Sequence, residues 1–432
     1  MNAPPMPQVL IVEDNRALAT MAKAMIESEW GFDTTLAATR AESEALIAED
    51  AGRFSVALVD LNLPDAPNGE VVPVVQAAGI PVIVLTGAFG EGLRKQMTDF
   101  GVVDYVVKDN MAAYEYACRL VGRIHRNRAT KVLVVDDSPT AVAVLKHQLE
   151  IQRLKVFTAT GGEEALSRFR EHPDIQLLFT DCHMPGMDGF ELIQRIRAEH
   201  GKDRLAIIGL SGSDDGRLSA RFLKSGANDF LTKPFVYEEL LCRVNQNLEI
   251  LEQIEAIRDA ANRDYLTRLY NRRYFFDDGG RRYRGAKEQG TPLCAAMMDI
   301  DFFKKVNDNH GHDGGDVALR HMAELLNDTF PDDLVARFGG EEFCVMIAAP
   351  LEESHARLDA FRRRVEETPV DRDGYHFPFT VSIGMTDQLG GDLDAMLNVA
   401  DANLYGAKEG GRNRVVASDG TANPNGTTRQ RG

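Results

Sequence analysis

The chain has 432 residues, with 49 Lys and Arg against 66 Asp and Glu, a formal charge of −17. Hydrophobic residues at 44% and charged residues at 27% describe a folded globular chain of about three domains, not a disordered or fibrous one. So acidic a protein is not built chiefly to grip nucleic acid or an anionic membrane, and no apolar run reaches the roughly eighteen residues of a membrane span.

The first residues lack the basic-then-apolar layout of a signal peptide. Five scattered cysteines (Cys118, Cys182, Cys242, Cys294, Cys344), with no C-x-x-C pair, are expected to be buried reduced thiols in a cytoplasmic protein. In chain order, Val9 to Val12 runs into Glu13-Asp14, Val56 to Val59 into Asp60, Pro81 to Leu85 into Thr86, and Tyr105 to Val107 into Lys108. Trp30, between the first two runs, is expected to do no more than pack. The series returns one domain-length later: Val132 to Val135 before Asp136-Asp137, Leu177 to Thr180 before Asp181, Ala206 to Leu210 before Ser211, and Phe230 to Thr232 before Lys233.

Short continuous apolar runs suit strands covered on both faces, and helical stretches such as 41–48 and 189–199 separate them. The pattern predicts two doubly wound α/β domains, with the polar run-ends gathered at the carboxyl edge of each parallel sheet. Carboxylates crowded there repel one another unless a divalent cation or a lysine joins them. Hard oxygen donors suit Mg²⁺, and an Asp beside it can attack a phosphoryl group while lysine and hydroxyl steady the added charge.

This constellation resembles the receiver domain of bacterial two-component response regulators, here over 1–127 and 130–250. The resemblance implies five-stranded parallel sheets, phospho-acceptors Asp60 and Asp181, and one Mg²⁺ per receiver. Its ligands would be Glu13, Asp14, Asp60 and the carbonyl of Asn62 in copy one, and Asp136, Asp137, Asp181 and the carbonyl of His183 in copy two. Thr86, Lys108 and Tyr105 take the switch positions of the first copy, and Ser211, Lys233 and Phe230 those of the second. A histidine kinase or phosphotransfer protein is the implied phosphodonor. Copy two has Lys233-Pro234 where copy one has Lys108-Asp109, so the last loop of copy one is expected to differ and copy one is the better candidate for a dimerisation adaptor.

From Tyr237 to Asn262 there is neither Gly nor Pro. Leu241, Val244, Leu248 and Leu251 form a heptad-like seam, which Ile254, Ile257 and Ala261 continue after a phase slip. The expectation is a connecting helix, 237–262, that leaves the second receiver and pairs across a homodimer.

Residues 263–417 follow another logic. Ala295 to Met298 reads as a buried strand ending in Asp299-Ile300-Asp301, with a helix starting after Phe302-Phe303. Leu334 to Phe338, Gly339-Gly340, and Glu341 to Ile347 read as a β-hairpin, because two adjacent glycines accept positive φ. Acids after one strand and beside a hairpin can share divalent metals, the helix start offers free N–H groups to phosphates, and Lys304, Lys408 and Arg412 can neutralise a leaving pyrophosphate.

Four separated blocks, Asp264-x-Leu266-Thr267 through Arg273, Asp299 through Asp316, Gly339 through Phe343, and Ala400 through Asn413, together resemble the GGDEF domain of diguanylate cyclases in its GGEEF form. The resemblance implies an α+β, palm-type nucleotidyl-cyclase fold that condenses two GTP into cyclic di-GMP and two pyrophosphates. By it, Asp299, the carbonyl of Ile300 and Glu341 bind two Mg²⁺ per GTP, and Glu341 helps deprotonate the ribose 3′-hydroxyl. Asn307 and Asp316 read guanine with His312 nearby, while Phe302, Phe303, Lys304, Lys408 and Arg412 hold the triphosphate against the Gly339-Gly340 turn. The family's inhibitory Arg-x-x-Asp is broken here to Phe330-x-x-Asp333, so weak product feedback is expected.

The whole chain thus reads as a two-receiver response regulator with a cyclase output. The rival is a catalytically inactive GGDEF scaffold; a DNA-binding output is opposed by the charge and by the absence of a helix-turn-helix pattern. Arg362-Arg363-Arg364 is expected to be a solvated helix face and 418–432 a disordered tail.

Overall fold

The computed structural model describes residues 7–87, 92, 96, 97, 100–212 and 216–418; the predicted tail falls outside them except for Ser418, which ends a strand. The chain forms two compact units that part between Ile254 and Glu255.

In the first unit, β1 (Gln8–Val12), β2 (Asp33–Ala37), β3 (Phe54–Asp60), β4 (Val82–Thr86) and β5 (Asp104–Val107) make a parallel sheet in the order β2-β1-β3-β4-β5. β6 (Lys131–Val135), β7 (Lys155–Ala159), β8 (Ile175–Asp181), β9 (Ala206–Ser211) and β10 (Asp229–Thr232) repeat it as β7-β6-β8-β9-β10. Alternate side chains of β1 enter two different cores, Leu10 and Val12 on one face and Val9 and Ile11 on the other. That is why the runs are apolar throughout rather than alternating. The strand order reverses beside β1 and β6, which opens a crevice at the carboxyl ends where the acids lie. Helices begin directly after the acid pairs: Asn15 accepts from the amides of Ala17 and Leu18, and Ser138 caps a helix whose first residue is Pro139.

The two receivers touch through β5 and the helix Met111–Asn127 of the first. Gln152 Nε2 donates to the Val103 carbonyl at 2.6 Å, and Arg123, only 3% exposed, grips both carboxylate oxygens of Glu252. Trp30 packs as expected, its Nε1 donating to the Cys118 carbonyl at 3.2 Å.

The helix Tyr237–Asn262 corrects one expectation. Leu241, Val244, Leu248 and Leu251 are buried, the last three in the core of the second receiver, so this part of the seam is used within the domain, while Ile257 and Ala261 of its continuation are exposed. Cys242 on the same helix is exposed, unlike the four buried cysteines.

In the second unit, β11 (Tyr270–Asn271), β12 (Cys294–Ile300), β13 (Leu334–Gly339), β14 (Glu342–Ile347), β17 (Val381–Thr386) and β18 (Val415–Ser418) form a mixed sheet in the order β11-β13-β14-β12-β17-β18. The short hairpin of β15 (Val370–Arg372) and β16 (Tyr375–Phe377) stands apart. β12 is central and buried at every position, antiparallel to both β14 and β17. Helices Phe303–Thr329 and Leu351–Glu367 cover one face, and Arg272–Gln289 and Leu393–Glu409 the other. The long helix Phe303–Thr329 is two helices broken at Gly311, whose φ of 72° and ψ of 177° leave the helical region.

Candidate active site and acid sites

At the first receiver's sheet edge, β1 delivers Glu13 and β3 delivers Asp60, both buried. Lys108, just past β5, donates from Nζ to Glu13 Oε2 at 3.1 Å and to Asp60 Oδ2 at 2.6 Å. The Asn62 amide donates to Asp60 Oδ1 at 3.1 Å. Burial, with the Asp60 charge adding to it, holds Glu13 above the usual carboxylate range. Among the described residues, Glu13, Asp14 and Asp60 are the one acid trio whose ligand atoms all lie within 4.8 Å of one another. Thr86 is buried at the end of β4.

The second receiver repeats the bridge. Lys233 Nζ donates to Asp136 Oδ2 at 2.5 Å and Asp181 Oδ1 at 2.6 Å, and the His183 amide donates to Asp181 Oδ2 at 2.7 Å. Burial opposes the charged amine, yet these bonds keep Lys233 above the ordinary lysine range. Asp137 is exposed and Ser211 buried. The aromatic positions diverge: Tyr105 donates to Glu238 Oε1 at 3.3 Å, whereas Phe230 packs on its own domain's core.

In the second unit, β12 and β14 bring Asp299 and the acids of the hairpin together. Asp299 pairs across the ladder with Glu342, and the Ile300 amide donates to the Glu341 carbonyl at 3.4 Å, so Glu341 stands beside the end of β12. Lys408 Nζ lies 2.7 Å from Asp299 Oδ2. Burial pushes Asp299 above the usual range against the pull of Lys408, and the nearby charges of Glu341 and Glu342 add to the rise.

The turn between β13 and β14 uses the freedom expected of it, with φ of 148° at Gly339 and 52° at Gly340. Arg337 fastens it: Nε and Nη2 donate to the Gly340 carbonyl at 3.0 and 2.8 Å, and Nη1 donates to Asp264 Oδ1 at 2.9 Å. Asp264 also accepts from the Thr267 amide and hydroxyl, and these bonds with Arg337 outweigh burial and lower its pKa.

Phe302 precedes the helix with φ of 57°, and the residue is 52% exposed. Lys305 Nζ and the Arg412 guanidinium each lie 4.4 Å from the ring centre. Phe303 is buried in the core and is the first residue of the helix. Lys304 and His312 are exposed, and Asn307 and Asp316 half-buried on the two sides of the Gly311 break. Gly315 makes room for Asn307, because a Cβ there would sit 2.0 Å from Asn307 Oδ1.

Three residues were not assigned a role from sequence. Asp301 is a buried acceptor for Thr380 Oγ1 (2.7 Å), Ser382 Oγ (2.6 Å) and the Asn413 amide (3.0 Å). Arg337 joins two motifs read separately. Arg362 overturns the solvated-face reading for its position: its side chain is 12% exposed and bonds Asp359, Glu366 and Asn413. Only the pairing of β12 with β17, invisible in an isolated sequence, sets Thr380 and Ser382 against Asp301. At the broken inhibitory motif, Phe330 is 1% exposed, while Arg357 stacks over its ring at 5.2 Å and pairs with Asp333 at 2.5 Å.

The family model described as "Response regulator receiver domain" matches residues 9–114 and 132–245, and that described as "Diguanylate cyclase, GGDEF domain" matches 261–414. The chain belongs to the response regulators, and its output is a GGDEF diguanylate cyclase domain. In particular, it is similar over nearly its whole length to the response regulator PleD of Caulobacter vibrioides, 27% identical across 95% of this chain and 98% of the relative. It is 39% identical to the probable diguanylate cyclase DgcT of Escherichia coli over 39% of this chain and 38% of that one. A solved structure of a probable two-component system response regulator/GGDEF domain protein, 43% identical, matches 57% of this chain and 99% of its own with a TM-score of 0.53. No described helix is long and apolar enough to cross a membrane.

Proposed function

We propose that two GTP-loaded cyclase domains of a homodimer face one another and join their substrates into cyclic di-GMP, releasing two pyrophosphates. The observation that carries the reading is the convergence of Asp299, Glu341, Lys408 and the Gly339-Gly340 turn at one sheet edge.

The donor set fits Mg²⁺: Asp299, the Ile300 carbonyl and Glu341 offer hard oxygens, and Lys408 already offsets the buried charge. When bound, Mg²⁺ supplies Lewis-acid stabilisation of the phosphoryl oxygens. Glu341 takes the proton from the attacking 3′-hydroxyl, while Lys304, Lys408 and Arg412 balance charge on the departing pyrophosphate. Asp316 accepts from guanine N1–H and N2–H₂ and Asn307 reads the same base edge with His312 beside it. A site built on such bonds rejects adenine strongly.

The same chemistry supports phosphoryl transfer from a histidine kinase or phosphotransfer protein to Asp60 and Asp181, with Mg²⁺ held by Glu13, Asp14, Asp60 and the Asn62 carbonyl, and by Asp136, Asp137, Asp181 and the His183 carbonyl. Thr86 with Lys108, and Ser211 with Lys233, receive the added charge. Phosphorylation then favours the dimer in which the half-sites meet, since tethering lifts effective concentration to about millimolar. Phe330, buried where the motif needs an arginine, offers a product phosphate no guanidinium, and Asp333 is already paired with Arg357, so feedback through this motif is weak.

The test is synthesis from GTP and Mg²⁺ with the product identified by mass, with and without beryllofluoride. Glu341→Gln is expected to slow it at least about a hundredfold, and added product to leave the initial rate nearly flat. Undiminished synthesis by the variant refutes the site; strong noncompetitive inhibition by product refutes the feedback reading.

A further inference from the structure

The loop that carries Arg412 is strained and doubly anchored. Gly411, Arg412 and Asn413 have φ of 113°, 64° and 46°, a run of left-handed residues of which two bear side chains. L-residues do not hold that conformation unless their surroundings impose it.

Two anchors do so. The buried Asp301 carboxylate, fixed by the hydroxyls of Thr380 and Ser382, accepts the Asn413 amide at 3.0 Å. Arg362 donates from Nη1 to Asn413 Oδ1 at 2.8 Å and is itself held by Asp359 and Glu366, each at 2.9 Å. The Arg412 amide returns to the Ala407 carbonyl at 3.0 Å, tying the loop to the turn that carries Lys408. With its backbone so fixed, the Arg412 guanidinium lies over the Phe302 ring at the helix start.

We infer that Asp301 and Arg362 are positioning residues that hold the Gly411–Asn413 loop so that Arg412 meets the pyrophosphate portion of the bound nucleotide. Of the two left-handed residues that bear side chains, Asn413 takes both anchors and Arg412 carries the guanidinium to the Phe302 ring. Asp301 lies two residues beyond Asp299 on the same chain, yet its bonds go to β17 and the loop. One acid of the strand end thus serves the metal while the next serves the anion clamp. The inference rests on the cyclase reading above.

The experiment measures binding of magnesium pyrophosphate and of GMP to the full chain by calorimetry, together with thermal melting. Asp301→Asn keeps the side chain's shape but gives the Asn413 N–H a weaker oxygen to donate to. It is expected to weaken pyrophosphate roughly tenfold while GMP stays within about twofold. In the Arg412→Ala background the same change is expected to add nothing, because the group it positions is gone. Asn413→Gly, which removes the Arg362 anchor while keeping the left-handed backbone accessible, is expected to give about a threefold loss in the same direction and decides the matter if Asp301→Asn does not fold. Equal losses for pyrophosphate and GMP, unchanged pyrophosphate binding, or additivity with Arg412→Ala would overturn the inference. If Arg412→Ala itself leaves pyrophosphate binding intact, the triphosphate reading of the active site falls too.

Discussion

The two receivers place the same residue types at the same strand ends but surround them differently. Asp229, which opens β10, pairs with Arg243 at 3.3 Å on the helix Tyr237–Asn262. Its counterpart Asp104, which opens β5, instead faces a hydroxyl and a like charge. It accepts from the Tyr116 hydroxyl at 3.1 Å, and burial, with the Glu238 charge adding, raises its pKa to about 6. Phe230 packs on its own core, whereas Tyr105 reaches Glu238. One helix thus serves both copies, neutralising an acid in the second and setting an acidic first turn against the first. Duplication preserved the sheet-edge chemistry, and the flanking positions took on the contact between the copies.

The largest test of this contrast removes the bridging lysines. Lys108→Met or Lys233→Met leaves two buried carboxylates without their amine, which is expected to cost about 3 kcal/mol in urea titrations run with EDTA. Mg²⁺ should restore more of the loss in Lys108→Met, because Glu13, Asp14 and Asp60 already lie within 4.8 Å of one another. Equal restoration would erase the distinction between the two sites.

A smaller effect of opposite sign is expected at Asp104. Its carboxyl binds a proton more tightly in the folded chain than in the unfolded one, so folding is favoured at low pH and loses ground as pH rises through about 6. Asp104→Asn should therefore stabilise the protein by about 2 kcal/mol at neutral pH, with the gain vanishing below about pH 4. Asp229→Asn, which gives up the Arg243 pair, should destabilise by up to roughly 1 kcal/mol. Melting curves across pH separate the two, and a shared sign would break the comparison. Tyr105→Phe makes copy one resemble copy two at the aromatic position and should shift stability by only about 0.5 kcal/mol. A shift several times larger would mean that the hydroxyl sets the interdomain contact rather than trimming it.

Much of this was legible in the residues alone. The repeated apolar runs with polar ends specify both receiver sheets, and they put Lys108 and Lys233 where each bridges two acids. The hairpin at Gly339-Gly340 and the helix start at Phe303 were equally plain, because turn glycines and a strand ending in acids leave few alternatives. What periodicity could not separate was a helix seam facing its own domain from one facing a partner, since both demand the same spacing; Leu241 to Leu251 went inward. Roles that depend on strand neighbours distant in sequence, such as Asp301 against Thr380 and Ser382 or Arg337 against Asp264, leave no local signature. Arg362 looked like one of three surface charges because nothing in its run marks it as the one beside Asn413.

Gly315 has a consequence for how substrate choice in such a site can be lost. Asn307 occupies the space that any larger residue at 315 would claim, at 2.0 Å from the nearest added carbon. One extra methyl would evict the amide from its seat and crowd the Phe303 ring at 3.2 Å, with no metal ligand or turn residue among its nearest neighbours. On the guanine reading proposed above, fidelity toward the base depends on a missing side chain, a space that a single substitution fills while the acid cluster stays intact.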